Sequence, residues 1–323
     1  MPAIIIRAAL GACIALCAAS AGFVATAPAC DRACLDGFMD RFLDSMKAHD
    51  PALLPMTQDV KFTENTIALK PGQGLWVSLS DVTPYTFHLA DPRTGQAGFL
   101  GRVLEYGKPL YVAARLKVRD GKVSEIEMIA ERDAPFGNND ITVPRPDFAT
   151  PLAPSERVPR AQMIAAALSY FDSIEQHDGK VAPFAADCER YEDGVRTAGP
   201  PLPRPAAAPP AGTRPASAAG SANLGALGCA AQMNTGIFIA KLTPRRVWLV
   251  DEERGVVMGA FFFSHDGRTT EIKLGNGTVH KVGDPAPASY PAGEMFRIRN
   301  GQISRVEAVY GMKLPFGIQT GWE

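Results

Sequence analysis

The sequence predicts an α+β protein in which two similar domains follow one another along the chain. Three observations support this fold class. Blocks of sequence recur in the same order, each copy begins with apolar residues at helical spacing, and each copy continues with strand-like segments. Helices followed by a run of long antiparallel strands are typical of α+β domains.

The internal repeat is the strongest of these observations. The matching segments are 45–50 and 173–178, 88–91 and 248–251, and 117–127 and 297–307. The last pair reads KVRDGKVSEIE in the first copy and RIRNGQISRVE in the second. Because chance does not preserve three blocks in one order, we interpret the chain as a tandem duplication.

Each copy begins with a predicted helix. The segments 34–47 and 161–174 place apolar side chains three and four positions apart, as the buried face of a helix requires. Strands of the first copy are predicted at 60–62, 85–89, 98–106, 110–118 and 123–130. Asp120-Gly121 predicts a tight hairpin between the last two strands.

Segments of unusual composition delimit the copies. Residues 138–159 carry five prolines and predict an extended linker. Residues 199–227 mix proline with Ala, Gly and Ser, which predicts a disordered insertion in the second copy. A further insertion is predicted at 267–293. The predicted domains are therefore 30–137 and 160–323.

The N-terminal segment has the features of a secretory signal peptide. Arg7 is followed by an apolar stretch and then by small residues, so we predict that residues 1–29 are removed on export. The stretch is shorter than the about 20 apolar residues of a membrane span. The alternative is a lipoprotein signal at Cys13, but very few apolar residues lie between Arg7 and this cysteine, which argues against it. We predict a periplasmic or secreted protein without stable membrane insertion.

Four cysteines remain after this segment, and an even number in an oxidising compartment indicates disulfides. We predict one bridge between Cys30 and Cys34 and another between Cys188 and Cys229. A zinc site is the competing interpretation, but no histidine lies at zinc-ligand spacing from these cysteines. We therefore predict no metal.

Composition and missing motifs exclude several functions. The formal net charge is −1 and no basic stretch is interleaved with aromatic residues, so nucleic-acid binding is not expected. The chain has no nucleophile elbow, glycine-rich phosphate loop or HExxH motif. These absences argue against serine hydrolases, nucleotide-dependent enzymes and zinc proteases.

The order of these features resembles the nuclear-transport-factor-2-like or SnoaL-like superfamily. The resemblance lies in a helix ending at His49-Asp50, the segment 59–65, and the closing hairpin at 115–127. The segment Gly72 to Trp76 is similar to a SnoaL-like branch found in bacteria and fungi.

The resemblance implies a cone, in which a strongly curved antiparallel sheet wraps around helices and leaves an apolar pocket at its open end. Members include isomerases, dehydratases, cyclases, binding proteins, and formaldehyde-releasing lyases that act on lignin-derived compounds. Their enzymes typically need no metal or organic cofactor, and we expect none here. Because one fold supports many activities, the function has to be inferred from the residues of the site.

Two residues are candidate general bases in such a pocket. Glu64 ends a strand where apolar surroundings would raise its pKa. The alternative for Glu64 is a carboxylate that accepts backbone N–H groups in the turn. His88 has a side-chain pKa suited to proton transfer near neutral pH, and its alternative is a solvated surface position.

Arginine and tyrosine side chains on the first copy's strands are candidates to stabilise a developing anion. Arg102 and Tyr106 lie four residues apart and are predicted to share one face of a strand, as are Tyr111 and Arg115 on the next strand. The alternative for Arg102 is an ion pair on the outer surface.

The remaining substrate-binding candidates are Tyr85, Trp76 and Asn65. Trp76 is either an aromatic wall of the pocket or plain core, and Asn65 either contacts substrate or holds a left-handed turn. Polar residues of the second copy are Gln232, the pair at 245–246, and the run 251–253, which we interpret as a solvated turn. Residues that the copies share serve the fold, so unshared residues are better functional candidates, and we favour those of the first copy.

These residues predict a cofactor-independent lyase of the elimination or retro-aldol type that acts on a hydrophobic, aromatic small molecule. Formaldehyde release from a lignin-derived compound is one version, and it rests on the resemblance. His88 or Glu64 would remove a proton, and the Arg and Tyr groups would stabilise the resulting anion. The alternative is a non-catalytic binding or assembly module in which the second copy packs against the first. A homodimer is also open.

Overall fold

The structure is a computed structural model, and it describes residues 30–132, 145–201, 227–236, 240–273, 277, 279–281 and 286–322. The predicted signal peptide lies outside the described residues, as do the first part of the predicted linker and most of the insertion at 199–227. Within the described ranges, no helix is long and apolar enough to cross a bilayer.

The first half consists of one long helix and a six-stranded sheet. Helix α1 covers Arg32–Lys47, a 3-10 turn follows at Pro51–Leu53, and the short helix α2 covers Leu75–Ser78. The strands are β1 (Met56–Glu64), β2 (Ile67–Leu69), β3 (Leu79–Asp91), β4 (Gln96–Glu105), β5 (Lys108–Arg119) and β6 (Lys122–Ala130). Their order across the sheet is β2-β1-β6-β5-β4-β3.

The second half has one long helix, three short helical segments and a larger sheet. Its helices are α3 (Pro146–Ala149), a 3-10 turn at Pro154–Glu156, α4 (Arg160–Glu175) and α5 (Cys229–Met233). Its strands are β7 (Phe184–Glu192), β8 (Val195–Ala198), β9 (Lys241–Leu242), β10 (Arg246–Asp251), β11 (Val256–His265), β12 (Glu271–Lys273), β13 (Val279–Lys281), β14 (Ala288–Arg299), β15 (Gln302–Tyr310) and β16 (Leu314–Pro315).

The two sheets have the same strand order. The main path of the second sheet is β8-β7-β15-β14-β11-β10, so β7, β8, β10, β11, β14 and β15 occupy the places of β1 to β6. This arrangement confirms the α+β class with two helix-backed sheets. The predicted insertion at 267–293 is shorter than expected, because β14 already begins at Ala288.

One strand pair in each sheet departs from the expected antiparallel arrangement. Strands β1 and β6 are parallel, and so are β7 and β15. Parallel neighbours need a long connection, and here the intervening strands of the same half supply it. The apolar pattern of a single strand carries no information on the direction of its neighbour, so the sequence did not predict this pairing.

Each long helix packs against its own sheet. Helix α1 begins at Asp31, whose carboxylate accepts the backbone N–H of Cys34 at 2.9 Å and caps the helix. Its buried apolar side chains are Leu35, Phe38, Met39, Phe42, Leu43 and Met46. Together with inward-facing strand residues they form the core of the first half, and α4 forms the equivalent core of the second.

A third apolar cluster lies between the two sheets. The first half contributes Tyr85, Phe87, Leu89, Leu100, Tyr111, Ala113 and Ile129, and the second contributes Phe148, Trp248, Leu249, Val256, Met258, Ala260, Met295 and Val309. Because side chains alternate along a strand, the face of each sheet that turns away from its helix packs on the other half. At Gly293 the approach is so close that an added Cβ would lie 2.5 Å from Cβ of Ala113.

Both predicted disulfides are present. Cys30–Cys34 joins the chain segment before α1 to the first turn of that helix, and Cys188–Cys229 joins β7 to α5. Disulfides of this kind are typical of proteins that fold in an oxidising compartment.

Candidate active site in the second half

The interior of the first half, where the family resemblance implies a pocket, contains the buried side chain of Trp76. Trp76 is 0 % exposed, and its ring makes edge contacts with Phe42 and Phe62 at centroid distances of 5.3 and 6.0 Å. Its indole N–H donates to the carbonyl of Ser45 at 3.1 Å. Trp76 is therefore core, which was one of its two interpretations, and the geometry gives it no exposed surface for substrate.

Replacing Trp76 with phenylalanine is expected to lower the free energy of unfolding by about 1–2 kcal/mol, because it removes one buried hydrogen bond and leaves a small void. Urea unfolding followed by circular dichroism measures the change. The exposed neighbour Val77, changed to alanine, is the control and should differ little from the wild type. A Trp76→Phe protein as stable as the Val77→Ala control would contradict a core role for the indole.

Glu64 and Asn65 make contacts within the fold. One oxygen of Glu64 accepts the backbone N–H of Leu75 and the other accepts the guanidinium of Arg132, both at 2.7 Å. Asn65 has φ 47°, and its amide pairs with both backbone groups of Ala130 at 2.9 and 3.0 Å. Both residues thus have the structural role that was their alternative interpretation.

His88 lies between α1 and the sheet, near the second half. Its side chain is 23 % exposed, its Nδ1 is 3.6 Å from a carboxylate oxygen of Asp40, and its ring contacts Phe99 edge-on. Burial lowers the pKa of His88, and the carboxylates of Asp40 and Asp36 oppose this effect. With its pKa lowered, the partly exposed imidazole is a neutral neighbour of Asp40 near neutral pH.

The tyrosine candidates Tyr85 and Tyr111 lie between the two sheets. Tyr85 is 0 % and Tyr111 1 % exposed, and both belong to the cluster that joins the halves. The hydroxyl of Tyr85 donates to Glu307 of the second half. The guanidinium of Arg102 lies 5.5 Å from the ring centroid of Tyr111. These side chains therefore contribute to the interface between the halves.

Tyr106 does not share a strand face with Arg102, as the sequence predicted. It lies in the turn after β4 with φ 49° and is 75 % exposed, because the strand ends one residue earlier than expected. Together with Lys108 and Arg132 it lines an open depression of about 570 Å³. This depression differs from the enclosed apolar pocket that the resemblance implies.

Arg115 forms a cross-strand ion pair. Its Nε donates to Glu127 at 3.0 Å, and the register places these residues opposite each other on β5 and β6. The same carboxylate accepts the guanidinium of Arg246 from the second half. Arg245, which precedes β10, bonds to Asp172 of α4 instead, so the two consecutive arginines point in opposite directions.

The interior of the second half contains a buried polar cluster, which we call the Glu294 cluster. Its members are Tyr170 on α4, Arg190 and Glu192 on β7, Gln232 on α5, Glu294 on β14 and Tyr310 on β15. Each is at most 5 % exposed. Six polar side chains, two of them acidic and one basic, are unusual in a protein core unless they are paired.

Arg190 organises this cluster. Its Nε donates to the hydroxyl of Tyr170 at 2.8 Å, and one terminal nitrogen donates to Glu192 at 2.8 Å. The other terminal nitrogen donates to the side-chain oxygen of Gln232. Because its planar guanidinium is bound on three sides, Arg190 fixes the positions of its partners.

The two carboxylates of the cluster lie in different surroundings. Glu192 accepts Arg190 and, at 3.3 Å, the hydroxyl of Tyr310. Glu294 is 0 % exposed, and its hydrogen-bonding neighbour is the hydroxyl of Tyr170, although no contact of its oxygens meets strict hydrogen-bond geometry among the described residues. Burial raises the pKa of Glu294 to about 8 and the charge of Glu192 adds to the shift, while the positive charge of Arg190 and the hydroxyl of Tyr170 oppose it. A buried carboxyl with a raised pKa is a common feature of acid–base sites.

Aromatic rings surround the polar groups. The ring of Tyr170 makes edge contacts with Phe296, Phe171 and Phe184 at centroid distances of 5.0, 5.5 and 6.2 Å. Phe171 in turn lies 4.6 Å from Phe261. The cluster therefore lies in apolar surroundings, in which electrostatic effects are stronger than in water.

The same positions are apolar in the first half. By the repeat, Tyr170, Arg190, Glu294 and Tyr310 correspond to Phe42, Phe62, Ala114 and Ala130. All four first-half residues are buried core. The residues that the repeat does not share thus concentrate in the second half, whereas we had favoured the first.

Of the six residues in the Glu294 cluster, Gln232 is the one named above from the sequence; Tyr170, Arg190, Glu192, Glu294 and Tyr310 were not named there. The sequence nevertheless contained a signal for the cluster. When the two copies are compared position by position, the first copy has an apolar residue where the second has Tyr170, Arg190, Glu294 or Tyr310. Glu294 follows the segment interpreted as an insertion, so the strand that carries it was not predicted.

Asp193 is a second buried acid, next to the cluster. It takes the place of Asn65, and one of its oxygens accepts the backbone N–H of Tyr310 at 3.1 Å. Its other oxygen has no hydrogen-bond partner in the described part of the chain. Burial raises the pKa of Asp193 well above its usual value, and the nearby carboxylates of Glu131, Glu192 and Glu307 raise it further.

Changing Asp193 to asparagine is therefore expected to stabilise the protein at pH 7 by about 1–2 kcal/mol. The amide removes the cost of the charged form and can bond to Tyr310 as Asn65 bonds to Ala130. Thermal unfolding at pH 5 and pH 8 measures the effect, which should be larger at the higher pH. Asn65→Asp is the reciprocal control and should be destabilising. A loss of stability in Asp193→Asn at pH 8 would rule out this account.

Residues 156–310 match the sequence model of a family described as a domain of unknown function (DUF8021). The matched span is less than half of the chain, and it contains every member of the Glu294 cluster. No curated protein sequence matches the chain.

Solved structures of low sequence identity match about half of the chain or less. A proposed polyketide cyclase from Xanthomonas campestris pv. campestris is 18% identical, over 47% of this chain and 92% of its own, with a TM-score of 0.27. A protein of unknown function with a cystatin-like fold from Methylobium petroleophilum PM1 is 13% identical, over 50% and 84%, with a TM-score of 0.28. A de novo designed protein with a curved β-sheet is 14% identical, over 29% and 82%, with a TM-score of 0.25.

Proposed function

We propose that the second half is the active half of a cofactor-independent lyase or isomerase that acts on a hydrophobic, aromatic small molecule. The observation that carries this proposal is Glu294, a fully buried carboxyl group whose only side-chain hydrogen-bonding neighbour is the hydroxyl of Tyr170 among the described residues. A buried acid left in this state costs stability, and function is a reason to retain it.

Glu294 is the general base in this proposal. Its carboxylate accepts a proton from a carbon or hydroxyl of the substrate. The oxygen of Tyr170 accepts a hydrogen bond from Arg190 and its O–H interacts with Glu294, so Tyr170 positions the base. Tyr310 bonds to Glu192 and, like Arg190, holds the site in place.

The substrate is neutral and largely apolar. The guanidinium of Arg190 is bonded on three sides by protein groups, so it does not serve to capture a carboxylate or phosphate of the substrate. The rings of Phe171, Phe261 and Phe296 pack against one another around the cluster and make its surroundings apolar, which favours an apolar, aromatic substrate. Elimination or retro-aldol cleavage follows proton removal, and formaldehyde release from a lignin-derived alcohol is one such reaction.

We place this activity in the periplasm or outside the cell. The support is the apolar N-terminal segment followed by small residues, and the two disulfides. The proposal retains the reaction class expected from the sequence and moves the proton-transfer role from His88 and Glu64 to Glu294.

The test is incubation of the mature protein, without added cofactor, with a panel of neutral aromatic alcohols and hydroxyketones, followed by mass spectrometry of the products. We expect turnover that rises with pH through about 8, because the base must be ionised. Glu294→Gln should lose this activity, and the matched control His88→Ala should retain it. Activity that survives in Glu294→Gln or is lost in His88→Ala would return the reaction to the first half.

A non-catalytic binding role is the second candidate function. The observation in its favour is the closure of the site, because each member of the Glu294 cluster is at most 5 % exposed. In this case the same aromatic compounds raise the melting temperature without being converted. Glu294→Gln then leaves their effect on the melting temperature unchanged.

A further inference from the structure

The interface between the halves contains the same contact twice. Arg32, the first residue of α1, donates to Asp251 of the second half at 2.6 Å. Arg160, the first residue of α4, donates to Asp91 of the first half at 2.5 Å. Arg32 matches Arg160 in the repeat, and Asp91 matches Asp251. Each half therefore offers the same arginine and the same aspartate to the other.

The same two aspartates also accept equivalent backbone N–H groups from the other half. Asp251 accepts the backbone N–H of Ala90 at 3.2 Å, and Asp91 accepts the backbone N–H of Val250 at 3.1 Å. The carboxylates of Asp91 and Asp251 are 1 % and 0 % exposed. Asp251, which the sequence placed in a solvated turn, is thus fully buried at the interface, because the other half covers it.

A second matching pair of residues lies deeper in the interface. Glu127 and Glu307 occupy equivalent positions on β6 and β15. Glu127 accepts Arg246 of the second half, and Glu307 accepts the hydroxyl of Tyr85 of the first half, so each glutamate reaches the other half although the partners differ. The Arg32–Asp251 and Arg160–Asp91 pairs are contacts in which residue i of one unit meets residue j of the other and j meets i, as in the two-fold interface of a dimer.

One strand connects this interface to the Glu294 cluster. On β14, Met295 faces the first half and Gly293 lies against Ala113, whereas Glu294 and Phe296 face the interior of the second half. The first half thus supports the outer face of the strand that carries Glu294. Its own interior has apolar residues at the matching positions.

We propose that the chain is a fused dimer, in which the first half is a built-in partner subunit for the second. The contacts between the sheets hold the halves together without help from the covalent connection. The docking face is already filled within one chain, so the protein is a monomer in solution. This proposal goes beyond the proposed function and does not depend on it.

The experiment uses the full mature chain with a protease recognition sequence inserted after Asn138, in the predicted linker and outside the described residues. Before cleavage, analytical ultracentrifugation should give the mass of one chain at all concentrations tested. After cleavage under native conditions, the two fragments should sediment together at the same mass. Fragments that separate at micromolar concentration, or an uncut chain that sediments as a dimer, would overturn the proposal.

Matched variants identify the contacts responsible. In the cleaved protein, Arg160→Ala and Arg32→Ala should each weaken the association of the fragments by at least about tenfold, since each leaves a buried carboxylate unpaired. Arg157→Ala is the control, because Arg157 bonds to the carbonyl of Leu152 within its own half. Equal affinity in all three variants would show that the reciprocal ion pairs do not hold the halves together.

Discussion

Glu294→Gln is expected to make the protein more stable than the wild type above neutral pH, by up to roughly 5 kcal/mol. The pKa of Glu294 is about 8 in the folded protein and about 4.5 in the unfolded chain. A raised pKa means that the folded state binds the proton more tightly. The stability of the wild type therefore falls as the pH rises from about 4.5 to about 8 and is then constant with respect to this group.

Urea unfolding between pH 5 and pH 9 measures this difference. Glutamine has the shape of the protonated carboxyl, so the two proteins should be nearly equal at pH 5 and should diverge as the pH rises. Glu271→Gln, which removes an exposed carboxylate on β12, controls for the loss of one acidic group. Parallel pH profiles for Glu294→Gln and the wild type would mean that Glu294 is already ionised in the folded protein at pH 5.

Asp251→Ala and Asp91→Ala are expected to lower the free energy of unfolding by similar amounts, about 3–5 kcal/mol each. Each substitution removes a buried carboxylate that accepts one arginine and one backbone N–H from the other half. Arg32 and Arg160 then keep their weaker or more exposed contacts, with Glu253 and with the carbonyl of Val250, and the backbone N–H loses its acceptor. Equal losses follow from the equivalence of the two sites.

Chemical denaturation of the two variants, followed by tryptophan fluorescence and by circular dichroism, measures these losses. Glu252→Ala is the matched control, since Glu252 lies next to Asp251 but is 39 % exposed and pairs with Arg93 at the surface. It should cost less than about 1 kcal/mol. If Asp251→Ala costs no more than Glu252→Ala, the buried pairs do not stabilise the interface.

Much of the fold could be predicted from the sequence. The predicted helices lie inside α1 and α4, and the long strands of the first half overlap the segments predicted as strands. The disulfides followed from the number of cysteines and the predicted compartment. These features are local, or are fixed by covalent chemistry, so the sequence reports them directly.

The packing of one half on the other could not be predicted in the same way. Both faces of the central strands are buried, one by the helix and one by the other sheet, so no polar face marks the surface. Asp251 followed by two glutamates has the composition of an exposed turn, and only the presence of Arg32 across the interface explains its burial. Tyr85 and Tyr111 were read as pocket residues for the same reason.

The candidate site was missed because its polar residues are distant in sequence and lie among apolar ones. Arg190 and Glu294 are separated by more than a hundred residues, and each alone has the pattern of an ordinary strand residue. Sequence reasoning named Glu64 because it ends a strand where the expected pocket would raise its pKa. The structure shows that Glu64 bonds to Leu75 and Arg132 within the turn.

The bridge between Cys188 and Cys229 has a consequence for the production of this protein. It anchors α5, whose Gln232 bonds to both Arg190 and the carbonyl of Thr197. Material made in a reducing cytoplasm would lack the bridge and hold this five-residue helix by weaker contacts. In such material the position of Gln232 beside Arg190 would be less fixed. Oxidative folding is therefore the appropriate way to produce the protein for assays.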